Sequence, residues 1–289
     1  FHPIIDDILE YRQVTKLKSN YVDGLIKLAD ENHRVHTTFK QTQTLTGRLS
    51  SAEPNLQNIP VRSEKGKELR RFFVADEGNI LIDADYSQIE LRVLAHVAND
   101  ETLINAFKNS EDIHTVTASQ VFGVPLSAVS SEMRKRAKAV NFGIVYGIGA
   151  FSLAKDINVS FGEAKRFIDD YLTTFSGVSR YMEQVVEKAK KTGYVETAFG
   201  RRRYLPELNA SNGMMRAFGE RVARNAPIQG TAADIIKIAM IRVWTRLRDE
   251  RLDAKLVLQI HDELIVEASE HDAPRAAEII SEEMENACK

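Results

Sequence analysis

Cysteine is nearly absent: Cys288 is the only one in 289 residues. No intrachain disulfide can form, and a reducing, cytoplasmic compartment is expected. Long apolar runs are missing as well. None approaches the length that crosses a bilayer, and no signal peptide is visible, so no membrane association is expected. An excess of one charge is also lacking, because the formal net charge of -2 gives the composition no polyanion-binding signature. Internal repeats and low-complexity linkers are absent. His261-Asp262-Glu263-Leu264 has the spelling of an endoplasmic-reticulum retention tag, but it is internal and cannot act as one. Methionine is missing from the first position, which is Phe1, as in a fragment of a longer protein.

What is present suffices for a proper core: 43% of the residues are hydrophobic, and the length allows one large domain or two lobes. The balanced total hides an uneven distribution. Basic clusters occur over 62–71, at Arg134 to Lys138 and at Arg201 to Arg203, while the stretch from Asp262 to Glu285 is acid-rich. A basic groove beside an acidic site is compatible with such a chain.

Along the chain, Pro3 to Leu17 and Ser19 to Asp30 carry helical apolar spacing, and Val35, Thr37 and Phe39 alternate as in a half-buried strand. Thr44 to Pro60 is polar, amide-rich and bounded by proline, which predicts a long ordered loop. Its Arg48, Gln57 and Asn58 are suited to donate to minor-groove acceptors, or equally to satisfy a coiled backbone. Asn79 to Asp85 reads as a strand ending in acids. Ser87-Gln88-Ile89-Glu90 then has capping-box spacing before a helix, and capping alone would account for Glu90. From Asp100 to Tyr181 the pattern is helical, with breaks near 109–112 and 123–125; an isolated histidine such as His114 is ordinarily structural. Tyr194 to Leu205 reads as a small hairpin with a basic second arm, and Arg221 to Arg248 as a helix. Two strands follow, around His261-Asp262-Glu263, whose turn lacks the glycine of an ideal tight hairpin. Glu278 to Asn286 closes with an amphipathic helix.

The stretch from Ser130 to Gly147 reads as one helix with two faces. At about 100° per residue, Met133, Ala137, Val140 and Ile144 fall in an apolar stripe roughly 60° wide. Nearly opposite run Arg134, Lys138, Phe142 and Tyr146, two cations followed by two aromatic rings. Serines can cap the start and Gly147 the end. Such a face suits a ligand that is anionic at one end and planar at the other, as a nucleotide is; a solvated basic surface with core aromatics is the plainer alternative.

Two strand-end aspartates far apart in sequence, Asp85 and Asp262, can meet only if their strands share a sheet. Magnesium typically takes one or two protein carboxylates plus substrate phosphates. A pair of such acids could hold two ions about 4 Å apart, the arrangement that serves in-line phosphoryl transfer.

These stretches carry a family resemblance. Asp85-Tyr86-Ser87-Gln88-Ile89-Glu90-Leu91-Arg92, the R-x-x-x-K-x-x-x-F-x-x-x-Y-G pattern from Arg134 to Gly147, and His261-Asp262-Glu263 are similar, in order, to the three polymerase motifs of the family A DNA polymerases. Thr46 to Ser51, Asn55 to Pro60 and Asn225 to Thr231 match as well, so the resemblance covers almost the whole chain. It implies a mixed α+β, right-hand polymerase fold with an antiparallel palm sheet and a helical fingers subdomain. By that resemblance, residues 1–35 link to a thumb that the chain lacks. Residues 36–92 and 209–289 form the palm, and 93–208 the fingers. Asp85 and Asp262 would bind two Mg2+ ions, with the backbone carbonyl of Tyr86 as a further ligand. Arg134, Lys138 and His114 would contact the incoming triphosphate, Lys138 being a proton donor to departing pyrophosphate. Phe142 and Tyr146 would border the sugar and nascent base pair. Gln88 would contribute to the nucleotide site, and Glu90 would obstruct a 2'-hydroxyl. Arg48, Gln57, Asn58, Arg221, Asn225, Gln229 and His261 would hold primer-template DNA. The expected partners are that duplex and deoxynucleoside triphosphates, for a monomer in the bacterial cytoplasm, associated with the nucleoid.

Asp83 departs from the family pattern as an extra acid on Asp85's face, read as an outer neighbour of the metal site. Glu263 lies near the metals without an assigned role. No proofreading nuclease is expected within the chain, and the usual final strand after the last helix is expected to be missing. The helix from Ser130 to Gly147 is expected to close on a correct base pair. The competing functions are a single-subunit RNA polymerase, against which Glu90 and Phe142 argue, and a non-catalytic duplex-binding fragment.

Overall fold

Helical apolar spacing dominates the middle of the chain and β-branched runs flank it, and the structure follows that division. A computed structural model describes residues 2–60 and 64–288, which fall into two units: Phe1–Tyr86 with Ile235–Lys289, and Ser87–Asp234. The first unit contains α1 (Ile4–Leu17), α2 (Gly24–Leu28), β1 (Thr38–Lys40), β2 (Ser50–Ala52), α3 (Glu64–Arg70) and β3 (Asn79–Asp85). The second contains α4 (Ile89–Ala98), α5 (Glu101–Lys108), α6 (Ile113–Phe122), α7 (Ser131–Val145), α8 (Ala150–Asp156), α9 (Phe161–Thr174), α10 (Ser176–Thr192), β4 (Tyr194–Glu196) and β5 (Arg202–Tyr204). Helix α11 (Gly213–Asp249) carries the unit boundary inside it, and the first unit then resumes with β6 (Ala254–Ile260), β7 (Glu263–Ser269) and α12 (Ala273–Glu285). Among the described residues no helix is long and apolar enough to cross a membrane.

The first unit is built on an antiparallel sheet in the order β3-β7-β6. Leu264, Val266 and Ala268 alternate along β7 and are almost fully buried on one face, where α12 packs with Ala276, Ile279, Ile280 and Met284. At about 1.5–3 kcal/mol per large buried side chain, this layer fixes which face of the sheet is left for polar residues. A register shift between Leu256 and Leu258 marks a bulge in β6. On the polar face Glu267 is 5% exposed and gathers Arg34, Asp76 and Asn79 around it. Residues from two other parts of the chain, Arg34 and the turn from Asp76 to Asn79, are thereby tied to β7.

In the second unit α4 buries Leu91 and Leu94 completely, packed by α5, α7 and α10. Buried Asp100 stitches two helices: one carboxylate oxygen accepts from Leu103 N at 3.1 Å, and the other from Gly177 N, at the start of α10, at 3.0 Å. Gly177 has no room for a side chain, because a Cβ there would lie 2.9 Å from the Asp100 backbone. A small core of Val186, Ala189, Val195, Leu205, Leu208, Ala223 and Ala226 joins α10, the β4–β5 hairpin and α11.

Several local expectations are corrected. The helix expected over Ser19 to Asp30 is a π-helical stretch, Lys18–Asp23, followed by the short α2. The strand read from Val35 shrinks to β1, and the loop expected over 44–60 contains β2, which pairs with β1. The Ser87–Glu90 capping box does not form: Gln88 takes the cap position with a left-handed φ of 57° and no capping hydrogen bond from its side chain. Helix α11 begins at Gly213 and continues through Pro227, and α12 begins at Ala273, not Glu278.

Candidate active site

Strand β3 delivers Asp85 to its last position, opposite Glu263 of β7, and the next peptide extends the pairing, with Tyr86 N donating to Asp262 O at 3.1 Å. The sheet therefore brings together the two acids that the sequence separates. Ile260 pairs with Glu263, so His261 and Asp262 form a two-residue turn. His261 adopts φ 54° where such turns favour glycine, a conformation that costs an L-residue about 1–2 kcal/mol. The left-handed His261 and Gln88 flank the acids on both chain segments.

Charge repulsion is built into this end of the sheet. Burial, then the charges of Asp262 and Asp83, pushes the Asp85 carboxyl up to about 6. Burial also raises Asp262, against the opposing influence of its backbone amide, Arg48 and His261. Glu263 is raised by burial and by Asp83 and Asp85, with Arg70 opposing. Asp83, one residue pair back on the same face, thus acts electrostatically on both Asp85 and Glu263. Among the described residues no group of three or more His, Cys, Asp or Glu side chains forms a ready-made metal cage. Two carboxylates at one sheet end, beside backbone oxygens, nevertheless fit magnesium, which keeps waters and takes the rest of its ligands from substrate.

Of the other residues expected to act, Arg48, Gln57, Asn58 and His261 also belong to the first unit. Arg48 lies close enough to Asp262 to lower its pKa. Gln57 spends its amide hydrogens inside the fold, donating to the backbone and side-chain oxygens of Gln259 at 3.2 and 3.0 Å. Asn58 O accepts from the Tyr21 hydroxyl at 2.5 Å. Gln259, 3% exposed, in turn donates to His261 O at 2.6 Å and so holds the turn that carries Asp262. It was missed in the sequence, although an amide inside the apolar run Leu256 to Ile260 was the available signal. Tyr86 is anchored by its hydroxyl, which donates to Met284 O of α12 at 2.6 Å.

The second unit holds the rest. Helix α7 is capped by the Ser130 hydroxyl, which accepts from Met133 N at 3.2 Å, and Gly147 closes it at φ 66°. Ala137, Val140 and Ile144 are buried as the apolar stripe requires, Met133 is half-buried, and Arg134, Lys138 and Tyr146 are exposed. The Phe142 and Tyr146 rings stack with centroids 6.5 Å apart and planes 15° apart, and Lys138 Nζ lies 5.9 Å from the Phe142 centroid. Arg134 pairs with Asp112, Nη2 to Oδ2 2.7 Å, and Asp112 also caps α6 through His114 N and Thr115 N. His114 itself, 2% exposed, sits 5.7 Å from the Phe142 ring. Glu90 is buried in the first turn of α4. The side-chain oxygens Oε1 of Gln88 and Oδ1 of Asn225 are buried without a hydrogen-bond partner. Arg221, Asn225 and Gln229 follow one another at four-residue spacing along α11, and Arg221 Cγ is 3.3 Å from where a Cβ on Gly147 would stand.

Comparison with known proteins bears on both units. A family model described as DNA polymerase family A matches residues 1–289. DNA polymerase I of Bacillus subtilis (strain 168) is 54% identical over 288 residues, covering 99% of this chain and 33% of that protein. The thermostable DNA polymerase I of Thermus aquaticus is 50% identical over 285 residues, covering 98% of this chain and 34% of that protein. The solved POL domain of Pol1 from M. smegmatis, in complex with DNA primer-template and dNTP, superposes with a TM-score of 0.95 at 48% identity, covering all of this chain and 51% of that one. The chain spans about a third of the length of the relatives it matches.

Proposed function

The chain belongs to DNA polymerase family A, and on that premise we propose that it adds deoxynucleotides to a primer 3'-hydroxyl under direction of a template strand, releasing pyrophosphate. The observation that carries this reading is the convergence of Asp85 and Asp262 at one end of the β3-β7-β6 sheet, each with a carboxyl raised by its surroundings. Residues 36–92 and 209–289 are assigned to the palm, 93–208 to the fingers, and 1–35 to the connection with a thumb. The protein acts as a monomer in the bacterial cytoplasm, on primer-template DNA associated with the nucleoid.

In the reaction the 3'-oxygen forms a bond to the α-phosphorus, the bond from that phosphorus to the bridging oxygen breaks, and the hydroxyl proton passes to solvent water. Asp85, Asp262 and the Tyr86 carbonyl would hold two magnesium ions, which would supply charge stabilisation to phosphoryl transfer. Arg134 and Lys138 bind the triphosphate, as does His114, and the Lys138 ammonium gives a proton to the departing pyrophosphate. Exchanging Asp112 for a phosphate costs Arg134 little, because an exposed ion pair is worth about 0–1 kcal/mol. Phe142 and Tyr146 border the sugar and base, Gln88 lines the nucleotide site, and Glu90 excludes a 2'-hydroxyl. Arg48, Gln57, Asn58, Arg221, Asn225, Gln229 and His261 hold the duplex. Helix α7 closes on a correct pair, excluding water from the reacting groups.

Asp262→Ala should abolish magnesium-dependent primer extension while leaving duplex binding, followed by fluorescence anisotropy, largely intact. Full extension by that variant would overturn the assignment.

A further inference from the structure

Behind the cation and aromatic stripe of α7 lies a polar chain that the packing of α6 against α7 has sealed from water. His114 is 2% exposed, and Thr117 and Asn141 are fully buried. The Thr117 hydroxyl donates to Asn141 Oδ1 at 3.1 Å, and Asn141 Nδ2 lies 3.0 Å from His114 Nδ1. An asparagine amide has one accepting and one donating end. With its oxygen taken by Thr117, it turns its hydrogens to the imidazole. A ring nitrogen that accepts a hydrogen bond carries no proton, which leaves the proton on Nε2.

We propose that Asn141 is a positioning residue that locks His114 as the neutral Nε2–H tautomer, so that His114 offers the triphosphate an uncharged donor of constant strength across neutral pH. This rests on the reading of His114 as a phosphate contact. The surroundings agree with the hydrogen-bond geometry. Burial takes the imidazole down to about 4; Asp112, at the head of α6, opposes this, while Arg134 and Lys138 of α7 reinforce it. The other elements packed on α6, namely α5, α9 and the 3-10 turn Leu126–Ala128, add no charged group acting on the ring among the described residues. A histidine held this way cannot gain charge when a polyanion arrives unless the hydrogen bond from the Asn141 amide to Nδ1 is broken. Its contribution is then direction, and the attraction is left to Arg134 and Lys138.

The test begins with the unmodified chain labelled with 15N-histidine. Long-range 1H–15N spectra resolve the tautomer of each of the seven histidines, and the spectrum of His114→Gln identifies the signals of interest. The expected pattern is a protonated Nε2 and an unprotonated Nδ1, unchanged from pH 8 to pH 5.5. A protonated Nδ1 or an imidazolium at pH 7 overturns the proposal at its first step. In Asn141→Asp a carboxylate replaces the amide, so the ring should gain a second proton and titrate between pH 6 and 8. Measured as the ratio of variant to wild type, the KM for the incoming nucleotide should then fall roughly fivefold from pH 8 to pH 6, as a charge-assisted bond replaces a neutral one. The expected tautomer with a pH-independent ratio overturns the proposal at its second step, the phosphate contact.

Discussion

Replacing Glu267 by glutamine removes one charge from the polar face of the β3-β7-β6 sheet and leaves the side chain's shape intact. Glu267 accepts from Arg34 Nη2 at 2.5 Å and Nη1 at 3.3 Å, from Asp76 N at 2.8 Å and from Asn79 Nδ2 at 3.3 Å. The Arg34 hydrogen bond, assisted by those of Asp76 and Asn79, outweighs burial and lowers the carboxyl from 4.5 to about 2. A depressed carboxyl contributes stability that is fully present above 4.5 and is lost as pH falls through the folded value. At about 1.4 kcal/mol per pH unit the gap amounts to about 3 kcal/mol at pH 7, and about 1 kcal/mol of it survives at pH 3. Arg34 is one-third exposed and keeps Asp76 as a second partner at 2.6 Å, so this is an upper value and about 2–3 kcal/mol is the expected loss. Guanidinium unfolding of wild type and Glu267→Gln at pH 7.5 and pH 3 measures it. An equal loss at both pH values, or a loss at pH 7.5 below about 0.5 kcal/mol, would refute the electrostatic origin assigned to this network.

Two further outcomes are expected. In Gly143→Ala the new Cβ would stand 2.4 Å from Ile148 Cγ2, so the variant should lose about 1–3 kcal/mol in thermal unfolding and recover part of it when combined with Ile148→Ala; a neutral single substitution would show that the end of α7 repacks freely. Lys138→Ala should slow single-turnover nucleotide incorporation by roughly a hundredfold with duplex affinity unchanged, as loss of a general acid does, whereas an unchanged rate would remove Lys138 from the chemistry.

The parts legible in the sequence were those whose signal is local and periodic. Helix α7 was readable with its serine cap, its glycine stop and the stripe that it buries, because each depends on neighbours within one or two turns. The meeting of Asp85 with Asp262 was readable because two strand ends with acids have few ways to share a sheet. Other features depend on distant partners. Ser87 and Glu90 have capping-box spacing, yet Gln88 turns left-handed, and nothing in the local sequence selects that conformation over the cap. The β6–β7 turn has histidine where glycine would be easiest, and it is held by Gln259 and Gln57, the latter 202 residues away in sequence. Strand β2 was hidden in an amide-rich stretch because its pairing with β1 supplies what its composition does not. Asn141 carries no signal of its own in the sequence, because its partners His114 and Thr117 stand on a different helix, α6.

Strand β3 has consequences for how the chain is made. Among the described residues its only partner in the sheet, β7, follows about 180 residues later, and the anchor of Tyr86, Met284, is 198 residues away. At about 5–20 residues per second of synthesis, β3 waits roughly 10–35 s as an unpaired strand while the whole second unit emerges from the ribosome. The helical unit, rich in local contacts, can complete itself in that interval. Asp85 and Asp262 are therefore brought together only after the second unit has been made, and through that interval a nascent chain exposes an adhesive strand edge.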